Sequence, residues 1–304
     1  MQGDRLTGVV LVAVSAAAFG ALGVLARIAY DDGADPVAVL MLRFSLAAAV
    51  FAGLRLLRPA PRPRGRALAG LVAMGVGYFL QSLSFFTAVK YAPPGLVALL
   101  LYTFPVIVVV LGAVVLDIPV HRPVAIACGV ALTGTALIVG PNARGGEPLG
   151  IAFGLGAALV YAVYILLGSR VLSHVDPLWA STVIMTTAAA GYAAAYALSS
   201  PRPSLPTSAS GWAAAAGIAI LCTVVAGLAF LAGLARVGPA DASTISTIEP
   251  VVSVVLSAIV VDEAITGWTV AGGALVLAAV IAISRAPSPP PGARPAAPMP
   301  PPAP

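Results

Sequence analysis

The chain has 304 residues, of which 60% are hydrophobic and only 9% charged, with a formal net charge of +5. Soluble domains carry about a quarter charged residues, so this composition excludes a soluble fold with a charged exterior. The positive balance is almost wholly arginine, placed at the ends of apolar runs and not on a polar face, which argues against nucleic-acid binding.

A helix needs about 20 apolar residues to cross a hydrocarbon core about 30 Å thick. In chain order, runs of that kind fall near 8–29, 37–57, 67–89, 94–115, 122–140, 149–170, 177–198, 211–235, 239–260 and 267–284. The separators carry charge or helix breakers: Asp31-Asp32-Gly33, Arg62-Pro63-Arg64, Ala92-Pro93-Pro94, Pro141-Asn142, Asp176-Pro177, Pro201 to Pro206 and Gly238-Pro239. The expected fold is therefore an all-α integral membrane protein of ten transmembrane helices. The first run is too long for an ordinary signal-peptide core and is read as an uncleaved helix. From Ala286 the chain is proline-rich and is expected to form a disordered tail over 286–304.

With a cytoplasmic N-terminus, the inner loops hold Arg5, Arg55, Arg58, Arg62, Arg64, Arg66, Arg122, Arg170, Arg236, Arg285 and Arg294. The outer loops hold Lys90, Arg144 and Arg202, leaving Arg27 and Arg43 inside helices. That positive-inside bias puts both termini in the cytoplasm. The Ala, Gly, Pro and Arg excess fits a GC-rich bacterial genome, so the expected location is the bacterial inner (plasma) membrane. Cys128 and Cys222 sit inside apolar runs and read as small apolar residues.

The two halves resemble each other in order. Asp35-Pro36 opens the second run and Asp176-Pro177 the seventh. Pro105 lies mid-way in the fourth with Asp117 twelve residues on, and Pro250 lies mid-way in the ninth with Asp262 twelve residues on. This divides the chain into repeats of five helices at 1–145 and 146–285. An odd number of spans inverts the second copy, and inverted repeats are typical of secondary transporters with a site near the midplane.

Phe85-Phe86-Thr87-Ala88-Val89-Lys90-Tyr91-Ala92-Pro93-Pro94, leading to Leu101-Tyr102-Thr103-Phe104-Pro105-Val106, has a counterpart in Phe230 to Pro239, leading to Ile248-Glu249-Pro250-Val251 and Asp262-Glu263. These runs, with Phe19-Gly20 and Arg43, resemble the EamA-type repeats of the drug/metabolite transporter superfamily over residues 8–285. The resemblance implies a secondary transporter that exports small metabolites such as amino acids, or amphipathic drug-like compounds, by alternating access. Where many relatives have Glu at the end of the fourth span, this chain has Asp117, which is read as a structural helix-end residue.

Ionisable groups at membrane depth cost about 2.5–3.5 kcal/mol on insertion scales, so each needs a reason. Glu249 is the one acid expected inside a span, as a proton site or the partner of a substrate ammonium, against an Arg-paired or protonated structural role. Ser246, Glu249, Ser253 and Ser257 share a helical stripe, and Pro250 leaves the Ser246 carbonyl without its amide. Arg43 has three readings: a pair with a substrate carboxylate, a pair with Glu249, or snorkelling toward Asp31, Asp32 and Asp35, with snorkelling or a structural ion pair favoured. Tyr78, Gln81, Ser82 and Phe85 share a face of the third run. Tyr102 and Thr103 flank a helix break at Pro105, matched by one at Pro250. Tyr161 and Tyr164 lie a turn apart in the sixth, and together with the others form a candidate cavity lining. Gly150, Gly154, Gly75, Gly77, Gly272 and Gly273 are read as sites of close helix approach. No phosphate loop, zinc motif, nucleophile elbow or acidic metal cluster is present, so no cofactor or metal is expected, and the partners are a small solute and the bilayer, with the chain as monomer or homodimer. An uptake permease of the same architecture is the first alternative. An intramembrane enzyme or lipid-handling protein is the second, although His121 and His174 both fall in expected cytoplasmic loops.

Overall fold

The computed structural model describes residues 2–57, 61–116, 120–142, 147–172 and 175–285. Asp117, His174 and the tail 286–304 lie outside the described residues. Every regular element among the described residues is helical, as hydrocarbon demands: with no water present, each backbone amide and carbonyl must be satisfied within its own helix.

The first run is two helices, α1 (Gln2–Gly20) and α2 (Leu22–Asp31), interrupted for one residue at Ala21. Next come α3 (Pro36–Leu57) and α4 (Gly65–Tyr91), then α5 (Pro94–Leu101) and α6 (Phe104–Leu116), which together make the fourth run. The helices α7 (Arg122–Asn142), α8 (Pro148–Val171) and α9 (Pro177–Leu198) follow. The side chain of Asp176 caps α9 by accepting from the amides of Leu178 and Trp179 at 3.1 and 3.0 Å, the role a helix-start aspartate has. The chain then passes through α10 (Ala209–Ala219), a π-helical turn (Ile220–Val225), α11 (Ala226–Ser246), α12 (Ile248–Val260) and α13 (Gly267–Arg285).

Among the described residues, six helical stretches are long and apolar enough to cross a membrane: Arg5–Asp31, Pro36–Leu57, Gly65–Tyr91, Pro94–Val115, Pro148–Gly168 and Ala209–Val237. Shorter apolar helices cover Arg122–Ile138, Thr244–Val260 and Gly267–Ile283. The seventh expected run, α9, has 22 residues, but Ser181, Thr182, Thr186 and Thr187 dilute its apolar character and it is not among the six.

One expectation needs correction. Neither Pro105 nor Pro250 is itself the break. The helix lapses at Tyr102-Thr103 and at Thr247, and each proline sits in the first turn of the next helix, where proline is tolerated. The two breaks are chemically alike. Thr103 and Thr247 each turn the amide and the hydroxyl onto the carbonyl three residues back, Leu100 and Thr244.

Gly238-Pro239, expected as a separator, lies within the helical stretch Ala226–Ser246. The chain doubles back between Val237 and Glu249, because Gly8 packs on Arg236 and Val237 while Gly20, twelve residues along α1, packs on Glu249 and Val252. A straight helix from Ala226 would carry Glu249 away from Gly20, at 1.5 Å per residue.

The pairs α3/α9, α7/α13, α4/α8 and α1/α11 pack antiparallel, whereas α4 and α9 run parallel, with Gly75 against Thr187 and Phe79 against Gly191. In α3 against α9, Phe44 stacks on Tyr192 with centroids 5.3 Å apart, and the Thr182 hydroxyl donates to the Phe51 carbonyl at 3.3 Å. Gly134 of α7 faces Gly272 of α13 so closely that a Cβ on Gly134 would stand 2.6 Å from the Gly272 carbonyl. Gly70 of α4 meets Val171 of α8, while Gly150 meets Ala92. In α1 against α11, the Ser15 hydroxyl donates to the Ala226 carbonyl at 2.8 Å. The main core gathers Leu40, Phe44, Phe86, Leu100, Tyr192 and Ile218 from five helices. Large apolar side chains such as Val114, Ile126 and Ile259 face outward, as a lipid-covered surface requires. Within this frame the buried polar side chains are few: Ser15, Arg43, Gln81, Ser82, Thr103, Thr223, Ser253 and Ser257 among the described residues.

Candidate solute cavity between the helix breaks

Most of those polar groups converge on one cavity of about 580 Å³. Its floor and roof are the two broken helices. Tyr102 comes from the α5/α6 break, and Ser246, Glu249 and Ser253 come from the end of α11 and from α12. The third run contributes Tyr78, Gln81, Ser82 and Phe85 on one wall, and α3 contributes Arg43. Tyr161 of α8 also lines it, with Phe19, Phe104 and Phe230 completing an aromatic lining. A cavity of this size and mix of apolar walls and a few polar groups suits a small organic solute.

Of the sequence-expected residues, Glu249, Ser246, Ser253, Arg43, Tyr78, Gln81, Tyr102 and Tyr161 line it, and Thr103 and Tyr164 do not. Thr103 spends its hydroxyl on the Leu100 carbonyl at 2.8 Å. Tyr164 stands behind the wall, stacked on Tyr161 and tilted against Tyr78, with centroids 6.0 and 5.9 Å away. Ser257, the last member of the α12 stripe, is fully buried and donates to Glu263.

Arg43 and Glu249 are the two formal charges on the wall. Arg43 neither snorkels nor pairs with a carboxylate among the described residues, contrary to the favoured expectation. It is 3% exposed, and its Nε donates to Thr223 Oγ1 at 2.8 Å and an Nη to Tyr78 Oη at 3.1 Å. Its guanidinium carbon lies 5.0, 5.5 and 5.9 Å from the ring centroids of Phe44, Phe86 and Tyr78, within cation–π range. The aromatic cage and the two hydroxyls hold the cation where the outward reach would have broken this packing. Thr223 is a partner sequence reasoning missed. It lies in the π-helical turn, where its hydroxyl donates to the Ile218 carbonyl five residues back at 2.9 Å. π-Turns of this kind recur at functional sites.

Glu249 is the second residue of α12, where the helix dipole favours a negative charge. Tyr102 Oη stands 3.1 Å from Glu249 Oε2 and 2.9 Å from the Ser246 carbonyl. That carbonyl is the acceptor Pro250 leaves unserved, so the phenol occupies the position the missing amide would take. Gly20 permits the approach, since a Cβ there would stand 2.6 Å from the Glu249 carbonyl. Together these groups offer a guanidinium for a carboxylate on one side. On the other they offer a carboxylate, a carbonyl and ring faces for an ammonium.

A second, larger depression of about 1200 Å³ is lined by Arg27, Asp31, Asp32, Lys90, Glu147, Asp262 and Glu263, among others. Helix α5 stands between the two spaces, with Leu96 on the depression and Ala98 and Leu101 on the cavity. Its N-terminus is fully accounted for. Pro94 has no amide, Gly95 and Leu96 donate to the Glu263 carboxylate at 2.9 and 3.2 Å, and Val97 begins the helical ladder on Pro93. Asp262, in the left-handed region at φ 54°, makes the turn that aims Glu263 back at α5. Nearby, Asp32 clasps the 199–208 linker, accepting from the amides of Thr207 and Ser208 at 2.7 and 2.9 Å. The Ser208 bonds are the largest cause holding the Asp32 carboxyl down at about 2.

Comparison with known proteins agrees with this architecture. An uncharacterized transporter of Archaeoglobus fulgidus is 27% identical over 274 residues, covering 90% of this chain and 95% of its own. The uncharacterized transporter YcbK of Bacillus subtilis is 26% identical over 278 residues, covering 86% and 87%. One chain of a solved crystal structure superposes with a TM-score of 0.65 at 20% identity, covering 93% of this chain and 98% of that one, which shows a shared fold. The family described as the EamA-like transporter family matches twice, over residues 6–140 and 148–285. A multi-pass helical membrane protein matched by that family over most of its length, the chain belongs to the EamA-like transporters.

Proposed function

We propose that this protein is a ten-span secondary transporter of the bacterial inner membrane, built from two inverted five-helix repeats at 1–145 and 146–285. It exports small metabolites, amino acids and related compounds foremost, or amphipathic drug-like solutes, through alternating access, with proton coupling at Glu249. The observation that carries the reading is the cavity between Arg43 of the first half and Glu249 of the second, reached by side chains of both.

The packing supports the inverted arrangement. Spans that correspond in the two halves meet each other antiparallel: α3 with α9, α7 with α13, and the fourth span with the ninth, where α5 runs against α12, Gly95 touching Glu263 and Tyr102 reaching Glu249. The pair α1 with α11 corresponds to α8 with α4, and each is antiparallel too. Such a layout has a two-fold axis in the membrane plane, and the site falls on it. Two similar halves can then rock between inward- and outward-open states of nearly equal energy.

The test is a panel of amino acids and amphipathic cations offered to proteoliposomes of the purified protein, with and without an imposed pH gradient. The expected result is uphill movement of at least one panel solute driven by the gradient and lost in Glu249→Gln. Movement in Glu249→Gln with unchanged pH dependence removes the proton coupling, and no movement of any panel solute removes the substrate class.

A further inference from the structure

The phenol of Tyr102 has one proton and two acceptors in reach, the Ser246 carbonyl at 2.9 Å and Glu249 Oε2 at 3.1 Å. It is buried, 7% exposed. The phenol also ties the two helix breaks together, because Tyr102 lies in the break after α5 and Ser246 ends α11.

We propose that Tyr102 is a positioning residue that transmits the charge state of Glu249 to the α11/α12 break through the single proton of its hydroxyl. The proposal rests on Glu249 being the proton site. When Glu249 is ionised, its carboxylate is the stronger acceptor and takes the phenolic hydrogen bond. The Ser246 carbonyl is then left with neither the amide that Pro250 lacks nor the phenol. It opens to the cavity as an acceptor, beside the carboxylate, for an ammonium or hydroxyl of the solute. When Glu249 binds a proton, its own O–H donates to the phenolic oxygen, and the phenol turns its hydrogen to Ser246. The two breaks are then cross-tied and the carbonyl is occupied. Proton and solute donors thus compete for the same two acceptors, which is the logic of exchange. No covalent bond changes; one proton arrives at or leaves the Glu249 carboxylate.

The other titratable groups facing Glu249 are Tyr161 from α8 and, across the cavity, Arg43 from α3. The helices α1 and α2 bring Ser15, Ala16, Phe19, Gly20, Leu22 and Gly23 to the wall, with no titratable side chain among them.

Infrared difference spectra of the full-length protein in lipid nanodiscs test this without any solute. The carbonyl band of protonated Glu249 is identified by its loss in Glu249→Gln. At a fixed pH within its titration, Tyr102→Phe removes the donor to the ionised form, and the ratio of ionised to protonated Glu249 falls on the order of tenfold, the effect of one hydrogen bond to a charged group. Pro250→Ala restores an amide to the Ser246 carbonyl, commits the phenol to Glu249, and moves the ratio the opposite way. Opposite shifts in the two variants establish the proposal. A ratio within twofold of wild type in either folded variant overturns it, and if Tyr102→Phe does not fold, the sign found in Pro250→Ala decides alone. A wild-type spectrum with no band sensitive to Glu249→Gln removes the proton site itself, and this proposal with it. A titrating band unmoved by either variant removes only the role of Tyr102.

Discussion

Replacing Glu263 isolates the contact that holds α5 in place. Its carboxylate accepts from Gly95 and Leu96 and from the Ser257 hydroxyl, at a helix start where Pro94 leaves those two amides as the exposed donors. Hydrogen bonds to a charged group contribute about 1.5–3 kcal/mol each, and a carboxylate at a helix N-terminus a further 0.3–1 kcal/mol. The site is half-buried and the three bonds share one group, so the sum is well below additive. Glu263→Ala is expected to cost about 2–4 kcal/mol, and Glu263→Gln about half of that, since the amide oxygen still accepts one bond. Thermal unfolding of detergent-solubilised protein measures both. In parallel, a cysteine placed at Ala98, on the cavity side of α5, reports access to a membrane-impermeant thiol reagent. Loss of the clasp frees the wall between depression and cavity, so labelling rises at least several-fold in Glu263→Ala. Stability within about 0.5 kcal/mol of wild type, together with unchanged labelling, would refute the reasoning.

Two further outcomes follow. Thr223→Val strips the acceptor from Arg43 Nε and is expected to destabilise by about 1–3 kcal/mol, whereas Thr223→Ser stays near wild type in the same melt; equal effects contradict the account. The Asp32 carboxyl is held down at about 2 by Ser208 and Thr207, so its clasp on the linker is fully present above the ordinary carboxylate pKa of about 4 and is lost as pH falls through about 2. Hydrogen exchange at Thr207 and Ser208 is therefore expected to stay protected at pH 4 in wild type and to be fast there in Asp32→Ala; equal exchange in the two contradicts it.

Much of this arrangement was legible because membrane insertion is set by length and apolarity, which are local properties. Asp176 was readable as a helix start, since its cap bonds reach only two and three residues ahead. Arg43 and Glu249 stood out because a charge at membrane depth needs a reason. Their partners did not, because Thr223 lies 180 residues from Arg43 and Tyr102 lies 147 from Glu249. Thr223 carries no local signal: it is one hydroxyl in an apolar run, and the π-turn that aims it leaves no composition mark. The prolines pointed to the right regions but not the right residues, since proline is excluded from the helix that ends and welcomed in the one that begins. Glu263 looked like an ordinary helix-end acid until the fold brought α5, 168 residues away, beneath it.

The central claim is that one cavity, charged by Arg43 and Glu249, carries a solute across the membrane in exchange for protons. Its most direct test is gradient-driven accumulation of a panel solute in proteoliposomes, wild type beside Glu249→Gln. The account predicts accumulation against the solute gradient in wild type when protons can flow the other way, and only downhill equilibration in Glu249→Gln. Equal uphill accumulation in both proteins would contradict it.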